Sequence, residues 1–385
     1  MSGPAAGTAH AAATTDVVCL GESMVTFLPS QPGRLADVPS FGRGIGGAES
    51  NVACALAAAG HRAAWVGRVG ADGFGDHLVE TIAGYGVDTS AVRRDPDRPT
   101  GIYFRTATDR GTEAHEVAYY RAGSAASAMS PANVPYEELF AGRILHLSGI
   151  TAALSADCLA LLRELTAPRP GRPLVSFDVN HRPRLWRDGD AGVLLELASR
   201  CDLVFVGEDE AEEAWGIVGA EAIRSALPEP SVVVVKRGSA GATVFASGLR
   251  PGPRSSNAGG ADIGSRPAHV GGAEAGEAAA QAADRDTVTV VPALRVDVVA
   301  AVGAGDAFAA GFLSATLRGL PVRDRVRHGH LMAAAALTVP GDLTEPPARD
   351  HADRLVALDD GAWGRLRLGP GWTAADRAHE EVRTP

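Results

Sequence analysis

The chain has 385 residues, and its 46 acidic against 36 basic side chains give a formal net charge of −10. This balance argues against nucleic acid as the main partner, because proteins that bind phosphate backbones present a basic face. No apolar run reaches the length that spans a membrane, and the four cysteines form no CxxC pair. We therefore expect a cytoplasmic protein with reduced thiols, in which residues 1–14 form a disordered tail rather than a signal peptide.

Short β-branched runs alternate along the chain with stretches rich in alanine and leucine. Strands are predicted at 17–21, 63–70, 143–149, 173–179, 202–207 and 231–236. Helices are predicted at 48–59, 74–85, 155–166, 190–200, 208–216, 303–318 and 324–338. Because strands that are apolar throughout need cover on both faces, this alternation predicts an α/β fold with a mostly parallel sheet between two helical layers.

The first motif is FGRGIGGAESNVACALAAAG, residues 41–60, which places Gly46 and Gly47 directly before a helix. It formally contains G-x-G-x-x-G, but Pro39 and its neighbours precede it where a dinucleotide-binding motif has a buried strand. The turn can instead bring its backbone and the Asn51 amide against a polyhydroxylated ligand.

Two segments of alternating polarity, 100–108 and 115–123, interrupt the regular succession of strands and helices. The sequence TDRGTE between them, residues 108–113, predicts a hairpin turn. The pair is therefore expected to form a small antiparallel flap outside the main sheet.

Polar side chains follow two predicted strands at their carboxyl ends, where open α/β sheets bind ligands. In SFDVNHRPRLW, residues 176–186, Asn180 and Arg182 can hold one anion between them, although Pro183 also suits an ordinary surface loop. In FVGEDEAEEAWG the acids, including Glu210, open a helix. They either complement the helix dipole or act near a metal-bound phosphate.

The chain's only lysine, Lys236, ends the run VVVVK before the turn RGSAG. It either marks a position that needs a compact ammonium group or arises by chance. The turn, with Gly238 and Gly241, either passes over a nucleotide or joins two strands of a plain hairpin. Residues 250–286 contain few large apolar side chains, which predicts a disordered insertion.

The last motif, VVAAVGAGDAFAAGF at 298–312, puts two glycines and one acid at the start of an apolar helix. The N–H groups of Gly303, Ala304 and Gly305 predict an anion site at the helix N-terminus. Asp306 is then either a helix cap or a base that accepts a proton from a hydroxyl attacking a bound phosphoryl group. The sequence contains no Walker A loop, no G-x-S-x-G elbow and no histidine spacing typical of a metal site.

Taken together, GGAESNVA near the start and VGAGDAFAAGF near the end resemble the ribokinase-like (PfkB) family of carbohydrate kinases. The stretches GIYFR, VAYYRAGSAAS, LHLSGI, DVNHRPRLW and FVGEDEAEEAWG make the chain most similar to members that act on 2-keto-3-deoxygluconate. The resemblance implies a kinase domain over 15–348, a Rossmann-like αβα sandwich with a small β-sheet lid formed by about 100–123 and N-terminal strands. Residues 349–385 are expected to be a C-terminal helix and tail.

The resemblance also implies ATP as co-substrate with Mg²⁺, and phosphorylation of the terminal (6-) hydroxyl of the sugar acid. Asp306 would be the base, and Gly303 to Gly305 would form the anion hole. The implied sugar site contains Gly46, Gly47, Asn51, Tyr103, Tyr119, Arg121 and Arg182. The implied nucleotide site contains Asn180, Lys236, Gly238 and Gly241, and Glu210 would act indirectly on the metal.

One departure from the family pattern concerns the residues before the glycines. Ala300 and Ala301 stand where the family usually has Asp-Thr, which puts activation by K⁺ in doubt. A homodimer or higher oligomer through the lid is a further implication of the resemblance. A kinase for a neutral sugar and a non-catalytic sugar- or nucleotide-binding protein stay as alternatives. Asp306 favours catalysis, and the two arginines, Arg121 and Arg182, favour an acidic sugar.

Overall fold

The structure is a computed structural model that describes residues 15–106, 116–186, 190–247 and 286–374. Within these ranges the strands are β1 (Val17–Leu20), β2 (Met24–Pro29), β3 (Phe41–Gly46), β4 (Ala63–Val66), β5 (Arg68–Gly70), β6 (Arg93–Asp95), β7 (Ile102–Arg105), β8 (Val117–Tyr120), β9 (Ile144–Ser148), β10 (Leu174–Asp178), β11 (Leu203–Gly207), β12 (Val232–Lys236), β13 (Ala242–Ala246), β14 (Thr287–Val291), β15 (Arg295–Val296) and β16 (Arg367–Leu368). The helices are α1 (Ala48–Ala58), α2 (Gly73–Gly84), α3 (Tyr136–Leu139), α4 (Gly149–Ala152), α5 (Ala156–Thr166), α6 (Gly192–Ser199), α7 (Glu208–Trp215), α8 (Ala220–Ala226), α9 (Ala304–Leu317), α10 (Val322–Leu337), α11 (Arg349–Val356) and α12 (Asp360–Arg365).

The main sheet contains eight strands in the order β14-β13-β12-β11-β10-β9-β1-β4. The pairs from β4 to β12 are parallel, and β13 and β14 are added antiparallel at one edge. Val17 lies opposite both Ala63 and Ile144, and Gly207 lies opposite Lys236. Because the parallel strands end at the same edge, the residues that follow β1, β10, β11 and β12 meet there.

Alternate side chains of the central strands enter two different hydrophobic cores. Cys19 and Phe205 face the core formed with α1, α9 and α10, whereas Leu20 and Val206 face the core formed with α5 and α6. Both faces of the sheet are therefore covered, which explains why the strand sequences are apolar throughout. The predicted three-layer α/β class is confirmed, and the seven predicted helices are present with ends within two residues of the predicted ones.

One predicted strand is wrong in extent, because the segment 63–70 divides at Gly67. Its first part is β4 of the main sheet, whereas its second part is β5, which pairs with β6 outside that sheet. A side chain at Gly67 would collide with the ring of Trp65. The missing side chain therefore lets the backbone fold over Trp65 and leave the sheet.

The lid is a four-stranded sheet in the order β3-β2-β7-β8. The predicted flap strands are β7 and β8, which pair antiparallel with Tyr103 opposite Tyr119. Strands β2 and β3 come from the N-terminal part of the chain, and β2 pairs with β7 in parallel. The predicted hairpin turn at 108–113 lies outside the described residues.

The end of the described chain packs onto the main body. The predicted C-terminal helix and tail contains two helices, α11 and α12, and the strand β16, which pairs with β15. Trp363 and Trp372 from this segment are buried in the first core. Residues 1–14, 375–385 and all of the predicted insertion except Asp286 lie outside the described residues. No helix in the described part of the chain is long and apolar enough to cross a membrane.

Candidate active site

A cavity of about 890 Å³ lies between the lid and the carboxyl ends of the central strands. Its lining includes all seven residues predicted to contact the sugar, namely Gly46, Gly47, Asn51, Tyr103, Tyr119, Arg121 and Arg182. From the other predicted groups it includes Gly303, Asp306 and Asn180. Its lining does not include Ala304, Gly305, Glu210, Lys236, Gly238 or Gly241.

The predicted anion site is the first turn of α9. Gly303, directly before this helix, has a left-handed backbone with φ of +72°, and a side chain there would collide with the carbonyl oxygen of Asp342. Only glycine combines this conformation with such a close approach. Because Gly303 provides no side-chain cap, the first N–H groups of α9 have no partner from the cap position. These donors and the helix dipole suit a phosphate group.

Asp306 lies in the first turn of α9 and lines the cavity. Its Oδ2 accepts a hydrogen bond of 2.8 Å from Asn51 Nδ2, so the side chain bonds across to α1. Burial raises the pKa of Asp306 to about 7, and the Asp178 carboxylate adds to this rise. The Asn51 hydrogen bond and the charges of Arg182 and Lys236 lower it. A carboxyl group with this pKa can exchange a proton near neutral pH.

Lys236 extends from the end of β12 toward the same helix start. Its Nζ donates to both carboxylate oxygens of Asp178, at 3.0 and 3.1 Å. It also lies 3.8 Å from the position that a Cβ atom of Gly305 would occupy. Burial lowers the pKa of Lys236, but the carboxylates of Asp178, Glu210 and Asp306 outweigh burial and raise it. A charged ammonium group therefore lies beside the predicted anion site.

The turn after Lys236 joins β12 to the antiparallel strand β13. Gly238 and Gly241 have φ values of +52° and +109°, and a side chain at Gly241 would collide with the carbonyl oxygen of Val291. Both glycines are thus required by the tight hairpin itself. Contact of this turn with a nucleotide stays a prediction.

Asn180 is held in a strained conformation beside the cavity. Among the described residues other than glycine, Asn180 alone has a positive φ, of +42°. Its N–H donates to Asp178 Oδ1 at 3.3 Å, while its own Oδ1 is buried with no hydrogen-bond partner in the described structure. Backbone strain and an unused buried oxygen are typical of a residue that contacts a ligand.

Arg182 leaves about half of its side chain, 51 %, exposed. Its Nη1 donates to the backbone oxygen of His181 at 3.0 Å and lies 3.8 Å from Glu210 Oε1. The other oxygen of Glu210 accepts the N–H of Gly207 at 2.8 Å, which caps α7. Glu210 therefore acts as a helix-terminal acid, and Arg182 remains open to an anionic ligand in the cavity.

Asp342 joins the lid to the start of α9, and it is not among the site residues predicted from the sequence. Its carboxylate accepts hydrogen bonds from Tyr103 Oη at 3.0 Å and Arg105 Nη2 at 3.1 Å, both on β7. Burial raises the pKa of Asp342, and the charge of Arg105 and the Tyr103 hydrogen bond lower it. Asp342 lies in an irregular segment after α10, where no sequence motif marks it.

Glu22 is the second residue that sequence analysis missed. Its buried carboxylate forms an ion pair with Arg121 and accepts a hydrogen bond of 2.7 Å from Ser124 Oγ. Glu22 follows the carboxyl end of β1, as Asn180 and Arg182 follow that of β10. A polar side chain in this position is the sequence signal that marks it. Because Glu22 already neutralises Arg121, the two cavity arginines, Arg121 and Arg182, are electrostatically different.

Comparison with known proteins identifies the family. The model of the pfkB family of carbohydrate kinases matches residues 14–254 and 274–349. This chain belongs to that family. It is 33% identical to the 2-dehydro-3-deoxygluconokinase of Bacillus subtilis (strain 168), over 87% of this chain and 93% of the relative. It is 30% identical to the enzyme of the same name from Thermoproteus tenax, over 91% of this chain and 97% of the relative.

A solved structure agrees with this family assignment. The crystal structure of a PfkB protein from Polaromonas sp. JS666 is 30% identical, covers 89% of this chain and 100% of its own, and has a TM-score of 0.69. As a member of the pfkB family the chain is a sugar kinase, a phosphotransferase with an alcohol acceptor. The predicted family, ribokinase-like fold and enzyme class are confirmed.

Proposed function

We propose that this pfkB-family kinase transfers the γ-phosphoryl group of ATP to the terminal 6-hydroxyl group of 2-keto-3-deoxygluconate. The observation that carries the proposal is a single cavity in which the Asp306 carboxylate faces the residues predicted to hold the sugar. The names of the Bacillus subtilis and Thermoproteus tenax relatives support the same substrate, since 2-dehydro-3-deoxygluconate is another name for it.

In the proposed reaction, Asp306 accepts the proton of the sugar hydroxyl as the hydroxyl oxygen attacks the γ-phosphorus and ADP leaves. The N–H groups of Gly303, Ala304 and Gly305 donate to the oxygens of the transferred group, where negative charge is concentrated. Lys236 lies beside them as a positive charge. The hydrogen bond from Asn51 keeps the carboxylate oriented before the substrate arrives.

Kinases take ATP as its Mg²⁺ complex, and Glu210 is the acid near Lys236 that the resemblance places beside such an ion. Among the described residues no three His, Cys, Asp or Glu side chains form a metal site. Mg²⁺ in kinases is held by one or two carboxylates and the substrate phosphates, so its binding does not require a cluster of three. Both oxygens of Asp178 already accept hydrogen bonds from Lys236, and one oxygen of Glu210 accepts the N–H of Gly207. Glu210 would therefore act on the ion indirectly, and the ion would neutralise phosphate charge when bound.

An acidic substrate is supported by the charge of Arg182. This guanidinium lines the cavity, and its contact with Glu210 is long, at 3.8 Å. Arg121 is already neutralised by Glu22, so it adds hydrogen-bond donors without a net charge. A neutral sugar would have no use for an open arginine at this point. The sugar acid is therefore preferred to a fructose- or ribose-type substrate.

The experiment is ADP release with 2-keto-3-deoxygluconate, its galactonate epimer, fructose and ribose. Arg182→Ala should raise KM for the acids by about 10- to 100-fold, the loss of one charge-assisted hydrogen bond, and leave KM for neutral sugars unchanged. Arg200→Ala, on the surface at the end of α6, is the matched control. A preference for neutral sugars that persists in Arg182→Ala would remove the substrate assignment. ATP binding without ADP release for any sugar would support the binding-protein alternative.

We also propose that turnover does not require K⁺. Ala300 is buried and Ala301 is exposed, and neither side chain carries an oxygen that could bind a cation. Replacing K⁺ by Na⁺ in the assay should therefore leave kcat unchanged within about twofold. A larger loss of kcat in Na⁺ would contradict this prediction.

Self-association through the lid is proposed from its outer face. Phe27 and Phe104 stack there with ring centroids 4.8 Å apart, and Phe41 and Tyr120 pack against Phe104. Tyr120 is 65 % exposed. An aromatic face with exposed members is typical of a protein interface. Light scattering on the intact chain and on Tyr120→Ser tests whether this face forms a homodimer or a higher homo-oligomer.

A further inference from the structure

A second cavity of about 460 Å³ lies outside the active cavity. It is lined by the end of α1, the second half of α9, the middle of α10 and the segment 345–352. Its volume lies within the range of small-molecule sites in proteins. None of the residues predicted for sugar, nucleotide or phosphoryl transfer lines it.

The charged groups in the lining of this second cavity favour an anion. Arg318 and Arg349 contribute positive charge to the lining, against one acidic residue, Glu345, while burial and the charge of Arg318 lower the pKa of the third basic residue, His328. Arg318 and His328 share the carboxylate of Asp353, at 2.7 and 3.2 Å. Within the described ranges the Arg349 guanidinium has no carboxylate partner, and it donates to the backbone oxygen of Ala59 at 3.2 Å.

Apart from Ser314 of α9 and two glycines, the rest of the lining is apolar. Alanines at the end of α1 and in the segment 345–352, two prolines, and a leucine and a methionine of α10 form most of the wall. A ligand that fits this surface has an apolar part and one anionic group. A small organic acid or a small phosphate ester has that composition.

Two helices connect the second cavity to the active cavity. α1 and α9 pack side by side, and one hydrogen bond joins them near each end. At the active cavity the bond is between Asn51 and Asp306, 2.8 Å long. At the second cavity His61 Nε2 and Ser314 Oγ are 2.8 Å apart. Asp306 and Ser314 are eight residues apart on one helix, a distance of about 12 Å.

A third connection runs through the segment that follows α10. Asp342 lines the active cavity and holds Tyr103 of the lid, and only three residues later Glu345 lines the second cavity. The same segment continues to Arg349. A ligand that moves this segment acts on a residue that touches both the lid and Gly303.

We propose that the second cavity is an effector site for a small organic anion, and that the bound anion changes the affinity of the active cavity for its sugar. Arg349 holds the anionic group, and the apolar wall holds the rest of the ligand. The effect of the bound anion reaches the active cavity through the start of α9 and through Asp342, because both contribute to the lining of that cavity. The proposal rests on the sugar-kinase activity of the family and not on which sugar is used.

The binding test uses isothermal titration calorimetry of the full chain with pyruvate, citrate, glycerol 3-phosphate and inorganic phosphate. At least one of them should bind, and the set separates a carboxylate ligand from a phosphate ligand. Arg349→Gln should abolish this binding, while Arg354→Gln on the same helix should not. Absence of binding up to about 10 mM for all four compounds, or equal binding to Arg349→Gln, overturns the proposal.

The coupling test uses thermodynamic reciprocity. The bound anion should change the affinity for the sugar by about fivefold or more, and saturating sugar should change the affinity for the anion by the same factor. His61→Ala, which removes the bond to Ser314 from outside the cavity lining, should reduce that factor without preventing anion binding. Inhibition that is competitive with the sugar and insensitive to Arg349→Gln would show binding in the active cavity instead. Anion binding needs no turnover, so its result is independent of the substrate assignment.

Discussion

In the proposed reaction the base is one carboxyl group whose ionisation the fold disfavours. Asp306 is buried beside Asp178, and both effects raise its pKa to about 7. Arg182, Lys236 and the Asn51 amide oppose the rise. The balance gives a group that is a stronger proton acceptor than an ordinary aspartate and is still ionised in a useful fraction at neutral pH. Ionisation of Asp306 therefore destabilises the folded state, and in return the proposed base has a pKa near neutral pH.

The first prediction concerns the pH dependence of turnover. Because the proposed base, Asp306, can accept a proton only when deprotonated, kcat/KM should rise with pH and level off above a midpoint of about 7. Asp306→Asn should lower kcat by about 10²- to 10⁴-fold while sugar binding persists. Steady-state kinetics between acidic and alkaline pH measure both effects. Asp324→Asn, the same change in the first turn of α10, is the control and should keep the wild-type profile.

The second prediction concerns stability at the same residue. The pKa of Asp306 is higher in the folded than in the unfolded chain, so ionisation favours unfolding, and the free energy of unfolding falls as pH rises from about 4 to 7. Asp306→Asn removes this effect. The variant should therefore be more stable than wild type at pH 8, by about 2–4 kcal/mol, with the gain shrinking toward acidic pH. Denaturant unfolding at two pH values tests this, and an equal gain at both would contradict it.

Individual residues differ in how far the sequence identifies them. The position of Asp306 was predictable from one motif, an acid on the first turn of a glycine-initiated helix, and its role as the base stays a prediction. Glu22 was predictable in principle, since it follows a central strand. Asp342 was not, because its position depends on how an irregular segment packs against Gly303 and the lid. Such a contact joins residues that are far apart in the chain and leaves no local pattern.

Among the elements, α9 is flanked on both sides by a glycine with a left-handed backbone. A glycine with φ of +72° stands at each end of it, Gly303 before the first turn and Gly319 after the last. The two differ in their surroundings. A side chain at Gly303 would collide with the Asp342 backbone, whereas nothing lies within 4 Å of a side chain at Gly319. Replacing each glycine by alanine therefore separates the effect of backbone strain, present at both positions, from the effect of steric collision, present only at Gly303.

The third prediction uses this pair. Gly319→Ala should cost about 1 kcal/mol of stability through its left-handed backbone and leave kcat unchanged. Gly303→Ala carries the same strain, and in addition must displace Asp342 or the start of α9. It should cost at least about 2 kcal/mol more and reduce kcat by 10-fold or more, because the anion site moves. Thermal unfolding and kinetics of the two variants measure this, and equal effects would exclude the collision.

At the scale of helices and strands, the sequence predicts an element well where apolar residues recur regularly along one face or both of its faces. The helices α1, α5 and α9 and the central strands follow the apolar pattern to within two residues. The division of 63–70 was not predictable, because both parts are apolar and the break depends on how Trp65 packs against Gly67. Residues 349–385 were expected to be one helix and a tail, whereas the described part contains two helices, α11 and α12.

At the scale of the whole molecule, the described segment beyond residue 349 forms part of the packed body. It lies past the part matched by the family model, yet it closes the first core. Arg327 of α10 is fully buried with its guanidinium 4.5 Å from the ring of Trp363, and it is paired with Asp360. Trp363 Nε1 also donates to the backbone oxygen of Pro292 at 3.2 Å. The C-terminal helices therefore fasten α10 to the edge of the sheet.

The fourth prediction follows from this arrangement. Trp363→Ala removes a buried aromatic ring and leaves the charge of Arg327 without its cation–π contact, so it should lower the free energy of unfolding by about 3–5 kcal/mol. Trp215→Ala, at the half-buried end of α7, is the matched control and should cost less, about 1–2 kcal/mol. Urea unfolding followed by circular dichroism measures both with one probe. If the segment were an independent appendage, Trp363→Ala would leave the main transition unmoved. A single transition shifted to lower urea shows instead that α11, α12 and the sheet unfold together, and that the kinase body extends to the end of the described chain.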